Sequence, residues 1–117
     1  MSDQSSGDDP YADRREHPRE QVRVPVKAVF GEKNAAIDAV IVDRSFKGMR
    51  LRLPPGLTVP SDFILLEPAT GQVHEVLAVW KAYPDVGLSI RRSYPIRTAA
   101  GPSGAQLQKI WRDATTR

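Results

Sequence analysis

Short runs in which apolar and polar residues alternate constrain this chain more than any other feature. Between positions 22 and 30 every second residue is apolar, and the same period of two recurs at 49–53 and 86–91. This period is typical of strands that place one face on a core. Two further, mostly apolar runs at 36–42 and 63–66 have the length of strands, and 73–83 is predicted as a longer strand. Six strands at intervals of about ten residues indicate an all-β antiparallel barrel or sandwich, with no βαβ units.

The C-terminal segment follows a different pattern. Apolar residues recur there at helical spacing, at Leu107, Ile110 and Trp111. Ser103 and Gln106 have the spacing of a capping box. The segment therefore predicts a short helix at 102–114 whose apolar side packs on the sheet.

Length and composition predict one domain with a loose start. A chain of 117 residues is typical of a single domain. Residues 1–13 are polar and aperiodic, which predicts a flexible tail because too little apolar area is available to offset the entropy of ordering. We divide the remainder into a barrel with an N-terminal arm at 14–101 and a helix at 102–117.

Several classes of function are disfavoured. The chain has no cysteine and only two histidines, and it lacks HExxH spacing, so we expect no metal site and no disulfide. We see no paired carboxylates and no nucleophile with a base, and therefore expect no enzyme and no catalytic residue. The apolar runs are far shorter than the roughly 20 residues that span a bilayer, and the first residues resemble no secretory signal. A cytoplasmic location is expected.

We interpret His74 and Glu75 as a polar pair on one strand face.

The net charge of +3 favours anionic partners, and the basic residues concentrate near the start of the chain. Arg15 and Arg19 are four residues apart. In an extended segment both would point to the same side, about 13 Å from each other. Their planar guanidinium groups suit phosphate oxygens and guanine edges. The alternative interpretation is a solvated basic arm.

A second polar cluster lies between two of the predicted strands. A carboxylate at Asp43 accepts hydrogen bonds from the N–H groups of a guanine, and the Ser45 hydroxyl donates or accepts beside it. Gly48 has no Cβ, which permits a positive φ or the close approach of a flat base. The alternative is an ordinary hairpin turn, since Asp, Ser and Gly are common turn residues.

Together these residues resemble the motifs of the PilZ domain family, which consists of bacterial receptors for cyclic di-GMP. An RxxxR motif from Arg15 to Arg19, preceded by Arg14, is followed after 23 residues by DxSxxG. The resemblance extends over about residues 14–91. It implies a six-stranded antiparallel β-barrel with a C-terminal α-helix, and an arginine arm that folds over the ligand. Arg44 and Lys47 depart from the apolar and small residues frequent in the family.

The implied ligand-binding residues are Arg14, Arg15, Arg19, Asp43, Ser45 and Gly48. Arg14 is the additional cation that two stacked molecules of cyclic di-GMP would use. Cyclic di-GMP is the expected ligand, with no cofactor, and an unidentified downstream protein is the expected partner. An adaptor that binds no nucleotide is the first alternative. A basic barrel for RNA or single-stranded DNA is less favoured, because few aromatic residues are available for stacking.

Overall fold

Six β-strands and one α-helix make up the part of the chain that the computed structural model describes, residues 20–31, 35–46 and 48–115. The strands are β1 (Glu20–Phe30), β2 (Ala35–Arg44), β3 (Gly48–Arg52), β4 (Asp62–Glu67), β5 (Gln72–Ala82) and β6 (Asp85–Pro95). A short 3-10 helix, Ile96–Thr98, leads to helix α1 (Gly101–Thr115). The predicted tail at 1–13 lies outside the described residues.

The strands form a closed barrel in the order β1-β2-β3-β6-β5-β4, and every ladder is antiparallel. A ladder of three residue pairs, in which Ala28 lies opposite Leu65 at the centre, joins β1 to β4 and closes the ring. The prediction of a mostly antiparallel sheet with six strands and a C-terminal helix is confirmed.

The barrel interior is filled by one side of each strand. Because side chains alternate across a strand, the apolar residues at every second position of these runs point inward. Members of this core include Val26, Ala28, Ile41, Met49, Leu51, Leu65, Val76, Val86 and Leu88. Removing this apolar area from water is the main favourable contribution to folding.

Helix α1 packs on the outside of the barrel. Val29, Leu66 and Val73 point outward from β1, β4 and β5, and they are buried together with Leu107 of the helix. Trp111 packs against the same cluster, and its indole Nε1 donates a hydrogen bond to the carbonyl oxygen of Pro68 over 3.1 Å. The predicted contact of the helix with the sheet is confirmed.

The predicted capping box is wrong, because the helix begins before Ser103. Gly101 has a φ of +74°, a left-handed value that glycine adopts easily, and Pro102 follows it in the first turn. Proline suits that position because its φ is already helical and its missing N–H would have no helical partner there. Ser103 therefore lies inside the first turn of the helix.

Candidate functional site

The connection between β2 and β3 is a tight turn held by its own backbone. The Ser45 amide donates to the carbonyl oxygen of Gly48 over 2.8 Å. The Ser45 hydroxyl lies 3.4 Å from the same oxygen. Two of the predicted binding residues are thus neighbours at the tip of one hairpin. Lys47, between them, lies outside the described residues.

A β-bulge in β2 decides which way Asp43 points. Ile41 lies opposite Leu51 inside the barrel, whereas Asp43 lies opposite Arg50, so Val42 is an extra residue on β2. Without the bulge, Asp43 would share the inward face of Ile41, because residues two apart on a strand face the same side. The bulge places Asp43 on the outer surface.

Asp43 begins a row that crosses four strands on the outer surface. Asp43 lies opposite Arg50, Arg50 lies opposite Gly87, and Gly87 lies opposite Trp80. The indole of Trp80 covers Gly87 so closely that an added Cβ would be 2.0 Å from its Nε1. Trp80 is 46% exposed. The row therefore combines a carboxylate, a guanidinium group and an aromatic ring at an open surface.

Residue types and spacing alone do not identify Trp80 and Arg50 as members of this row. The row depends on strand register, which a single sequence does not reveal. The glycine at position 87, opposite a tryptophan near the end of a hairpin, is the signal that could have indicated it.

Gly48 is required for close packing of backbone. A Cβ on this residue would lie 2.7 Å from the carbonyl oxygen of Leu88 on β6. The structure shows the neighbouring strand in close approach at this glycine, and the approach of a flat base stays a prediction. Gly48 keeps β3 and β6 in register beside the turn.

The described chain starts beside this turn. Glu20 lies opposite Arg44, and Gln21 lies opposite Asp43. The predicted binding residues Arg14, Arg15 and Arg19 lie outside the described residues. Arg19 directly precedes Glu20 in the sequence, so the RxxxR motif ends where the described chain begins, at the end of the barrel that carries Asp43.

Asp85 balances the charges of the two arginines of β3 unequally. Arg52 donates to both oxygens of Asp85, from Nε over 2.8 Å and from Nη2 over 3.1 Å. These hydrogen bonds lower the pKa of Asp85, against a smaller opposing effect of burial. Arg50 is more distant, with its Nη1 3.8 Å from Asp85, and its buried Nε has no hydrogen-bond partner in the described chain. Arg52 therefore neutralises most of the negative charge of Asp85. The positive charge of Arg50 in the row is balanced by Asp85 only weakly.

His74 faces the barrel interior, so its predicted pairing with Glu75 is wrong. Its Nε2 lies 2.5 Å from Oε2 of Glu67, and its Nδ1 lies 2.6 Å from the Ser93 hydroxyl. Consecutive strand residues face opposite sides, and Glu75 instead pairs with Arg92 on the outer surface over 2.9 Å. The hydrogen bond from His74 lowers the pKa of Glu67, although burial acts in the opposite direction.

Within residues 20–31, 35–46 and 48–115, no group of three or more His, Cys, Asp or Glu side chains is arranged to hold a metal ion. No helix of this part of the chain is both long and apolar enough to cross a membrane.

The described chain is thus a small β-domain, a closed antiparallel barrel with a polar hairpin turn and an outer row of polar and aromatic side chains. The PilZ domain model matches residues 13–80, more than half of the chain, and the chain belongs to the PilZ domain family. No curated protein matches it. PilZ domains are generally modules that bind cyclic di-GMP or act as adaptors, and they are typically non-catalytic.

Proposed function

We propose that this chain is a non-catalytic receptor for cyclic di-GMP. The proposed ligand contacts come from an arginine arm and from the β2–β3 turn, namely Arg14, Arg15, Arg19, Asp43, Ser45 and Gly48. Membership of the family and the spacing of the two motifs support this assignment.

The observation that carries the proposal is the pairing at the start of β1. Gln21 lies opposite Asp43, so the chain reaches the barrel beside the turn only two residues after Arg19. An arm that begins there needs to span only a short distance to reach the phosphates and the guanine of a ligand held at Asp43. The bulge that points Asp43 outward supports the same arrangement.

The chemistry of the outer row fits a guanine nucleotide. In our proposal Asp43 accepts hydrogen bonds from the N–H donors of the base, and the arm arginines neutralise the phosphates. Trp80 offers a flat apolar surface on which a base can stack. Besides its place in the proposed site, Gly48 lets β3 lie close to β6 beside the turn.

The proposed signal is an ordering of the N-terminal arm. The ligand brings negative charge that offsets the repulsion between the arginines, so a bound arm is favoured over an unbound one. The surface that a downstream protein meets then differs between the free and bound states. Ordering on binding costs part of the interaction energy, which keeps the response reversible.

Calorimetric titration of the full chain with cyclic di-GMP tests the proposal. We expect micromolar or tighter binding in the wild type and a loss of binding in Arg19→Ala and in Asp43→Ala. Arg92→Ala is the matched control, because it removes an exposed arginine that pairs with Glu75 away from the row. The proposal includes a second, stacked ligand held by Arg14, so Arg14→Ala should reduce the stoichiometry from two to one. Absence of binding heat in the wild type would refute the receptor function.

The adaptor alternative draws support from exposed apolar residues on β5. Leu77, Val79 and Trp80 are 36%, 58% and 46% exposed, and large apolar side chains at a surface are typical of protein contacts. An adaptor without a nucleotide site would give no heat with cyclic di-GMP in the same titration. The two functions are therefore separated by one measurement.

A further inference from the structure

Arg44 is the one residue between Asp43 and Ser45, and it points the opposite way. The bulge that places Asp43 outside the barrel also places Arg44 opposite Met49, a buried residue of the interior core. The Arg44 guanidinium lies at the inner edge of the barrel, with its Nη2 3.3 Å from Oε1 of Glu67. The Glu67 side chain is only 5% exposed.

This ion pair is the first link of a polar chain inside the barrel. The other oxygen of Glu67 bonds to His74, and the second ring nitrogen of His74 bonds to Ser93. The four residues come from β2, β4, β5 and β6, respectively. The β2 end of the binding turn is thereby tied to three other strands from within.

Stability alone does not account for a cation at this position. A buried ion pair costs desolvation and is often no more stable than a pair of apolar side chains of similar volume. Arg44 also leaves its buried Nε and Nη2 without a well-aligned hydrogen bond in the described part of the chain. What the ion pair does fix is direction, because an inward Arg44 requires Asp43, its neighbour on β2, to face outward.

We propose that Arg44 is a positioning residue for the binding turn, and that its ion pair with Glu67 holds Asp43 on the outer row and keeps the Ser45–Gly48 hydrogen bond closed. The inference rests on the proposed function for its ligand readout. In this proposal the polar residues inside the barrel position the turn without contacting the ligand.

The test compares two pairs of substitutions in the full chain. The first, called the buried pair variant after the buried Glu67, is Arg44→Leu with Glu67→Gln. It removes both charges of the ion pair and leaves an amide that still bonds to His74. Arg92→Leu with Glu75→Gln removes an ion pair of the same kind from the outer surface, where both partners are exposed. Three quantities are measured for each protein: the melting temperature, the Kd for cyclic di-GMP, and the hydrogen-exchange rate of the Ser45 amide, which donates to Gly48.

We expect the buried pair variant to melt within a few degrees of the wild type, to bind about tenfold more weakly, and to exchange the Ser45 amide about tenfold faster. The surface pair variant should match the wild type in all three. A folded buried pair variant with unchanged affinity and unchanged exchange would overturn the positioning role. If that variant does not fold, Arg44→Met replaces it: methionine removes the ion pair while Glu67 keeps its bond to His74, and unchanged exchange there would have the same meaning.

The two proposals fail separately. A wild-type chain that does not bind cyclic di-GMP refutes the receptor function, while the Ser45 exchange rate still decides whether Arg44 positions the turn. A wild-type chain that binds, together with a variant that is unaltered, refutes the positioning role alone.

Discussion

Two parts of the outer barrel surface share the same strand geometry, but helix α1 buries one of them and not the other. On β1, β4 and β5 the outward residues Val29, Leu66 and Val73 are apolar, and helix α1 buries them completely or nearly so. On β2, β3 and β5 the outward residues are Asp43, Arg50 and Trp80, which lie outside the cluster that the helix buries. Alternation sets the direction of a side chain, but its chemistry decides whether the protein covers that surface itself or leaves it open to a partner.

Truncating a leucine on each surface should give the largest difference. Leu107→Ala opens a cavity beneath the helix at a side chain that is 3% exposed, and we expect it to reduce the free energy of unfolding by about 3 kcal/mol. Leu77→Ala, on the open surface, should cost less than about 1 kcal/mol. Chemical denaturation measures both. Equal losses would mean that the open surface is packed as tightly as the covered one.

Two glycines beside the open row should respond differently to a methyl group. Gly48→Ala places its Cβ against the carbonyl oxygen of Leu88, and because backbone yields little we expect a loss of about 2 kcal/mol in the free energy of unfolding. Gly87→Ala meets the Trp80 indole, which can rotate away. That variant should lose less stability but change the tryptophan fluorescence more. The reverse order would show that the indole is held more firmly than the strands.

The strands and the helix could be predicted because each has a local pattern. Val29 stands between the core-facing residues of its run and faces outward, but its burial depends on Leu107, almost eighty residues later in the chain. The start of the helix was missed because Ser103 has the features of a cap, while Gly101 and Pro102 determine where the first turn begins. A local pattern therefore identifies a strand or helix more reliably than it identifies where that element ends or which other element packs on it.

The site could be predicted less completely. Asp43, Ser45 and Gly48 were identified from their types and spacing, and the structure places them at one hairpin. The bulge at Val42 was not visible, because the run from 36 to 42 is almost continuously apolar and gives no alternation to interrupt. The partner of Arg44 is Glu67 on another strand, and no local pattern links the two.

Lowering the pH should distinguish the interior of the barrel from its outer surface. The folded-state pKa of Glu67 is below its usual value, chiefly through the hydrogen bond with His74 and with help from Arg44. Glu67 therefore stabilises the fold fully above its ordinary pKa, and this contribution is lost as the pH falls through the lowered value. Glu67→Gln should flatten the acid side of a stability-against-pH curve. Asp85→Asn should flatten it less, because water screens the Asp85–Arg52 pair. Equal flattening of the curve in the two variants would contradict the expectation that the interior carboxylate contributes more than the surface one to the loss of stability at low pH.

The smallest effect is expected at Arg92, which lies at the edge of the covered surface. Its guanidinium pairs with Glu75 and lies 4.9 Å from the ring centroid of Tyr94, which itself packs against the buried cluster beneath the helix. Both members of the ion pair are exposed, so the pair and the ring contact together should contribute less than about 1 kcal/mol. We expect Arg92→Ala to lower the free energy of unfolding by a few tenths of a kcal/mol at low salt, and by less at high salt, since ions screen an exposed pair. A loss that is large and independent of salt would mean that Arg92 acts by covering Tyr94, and the helix-covered surface would then extend onto β6.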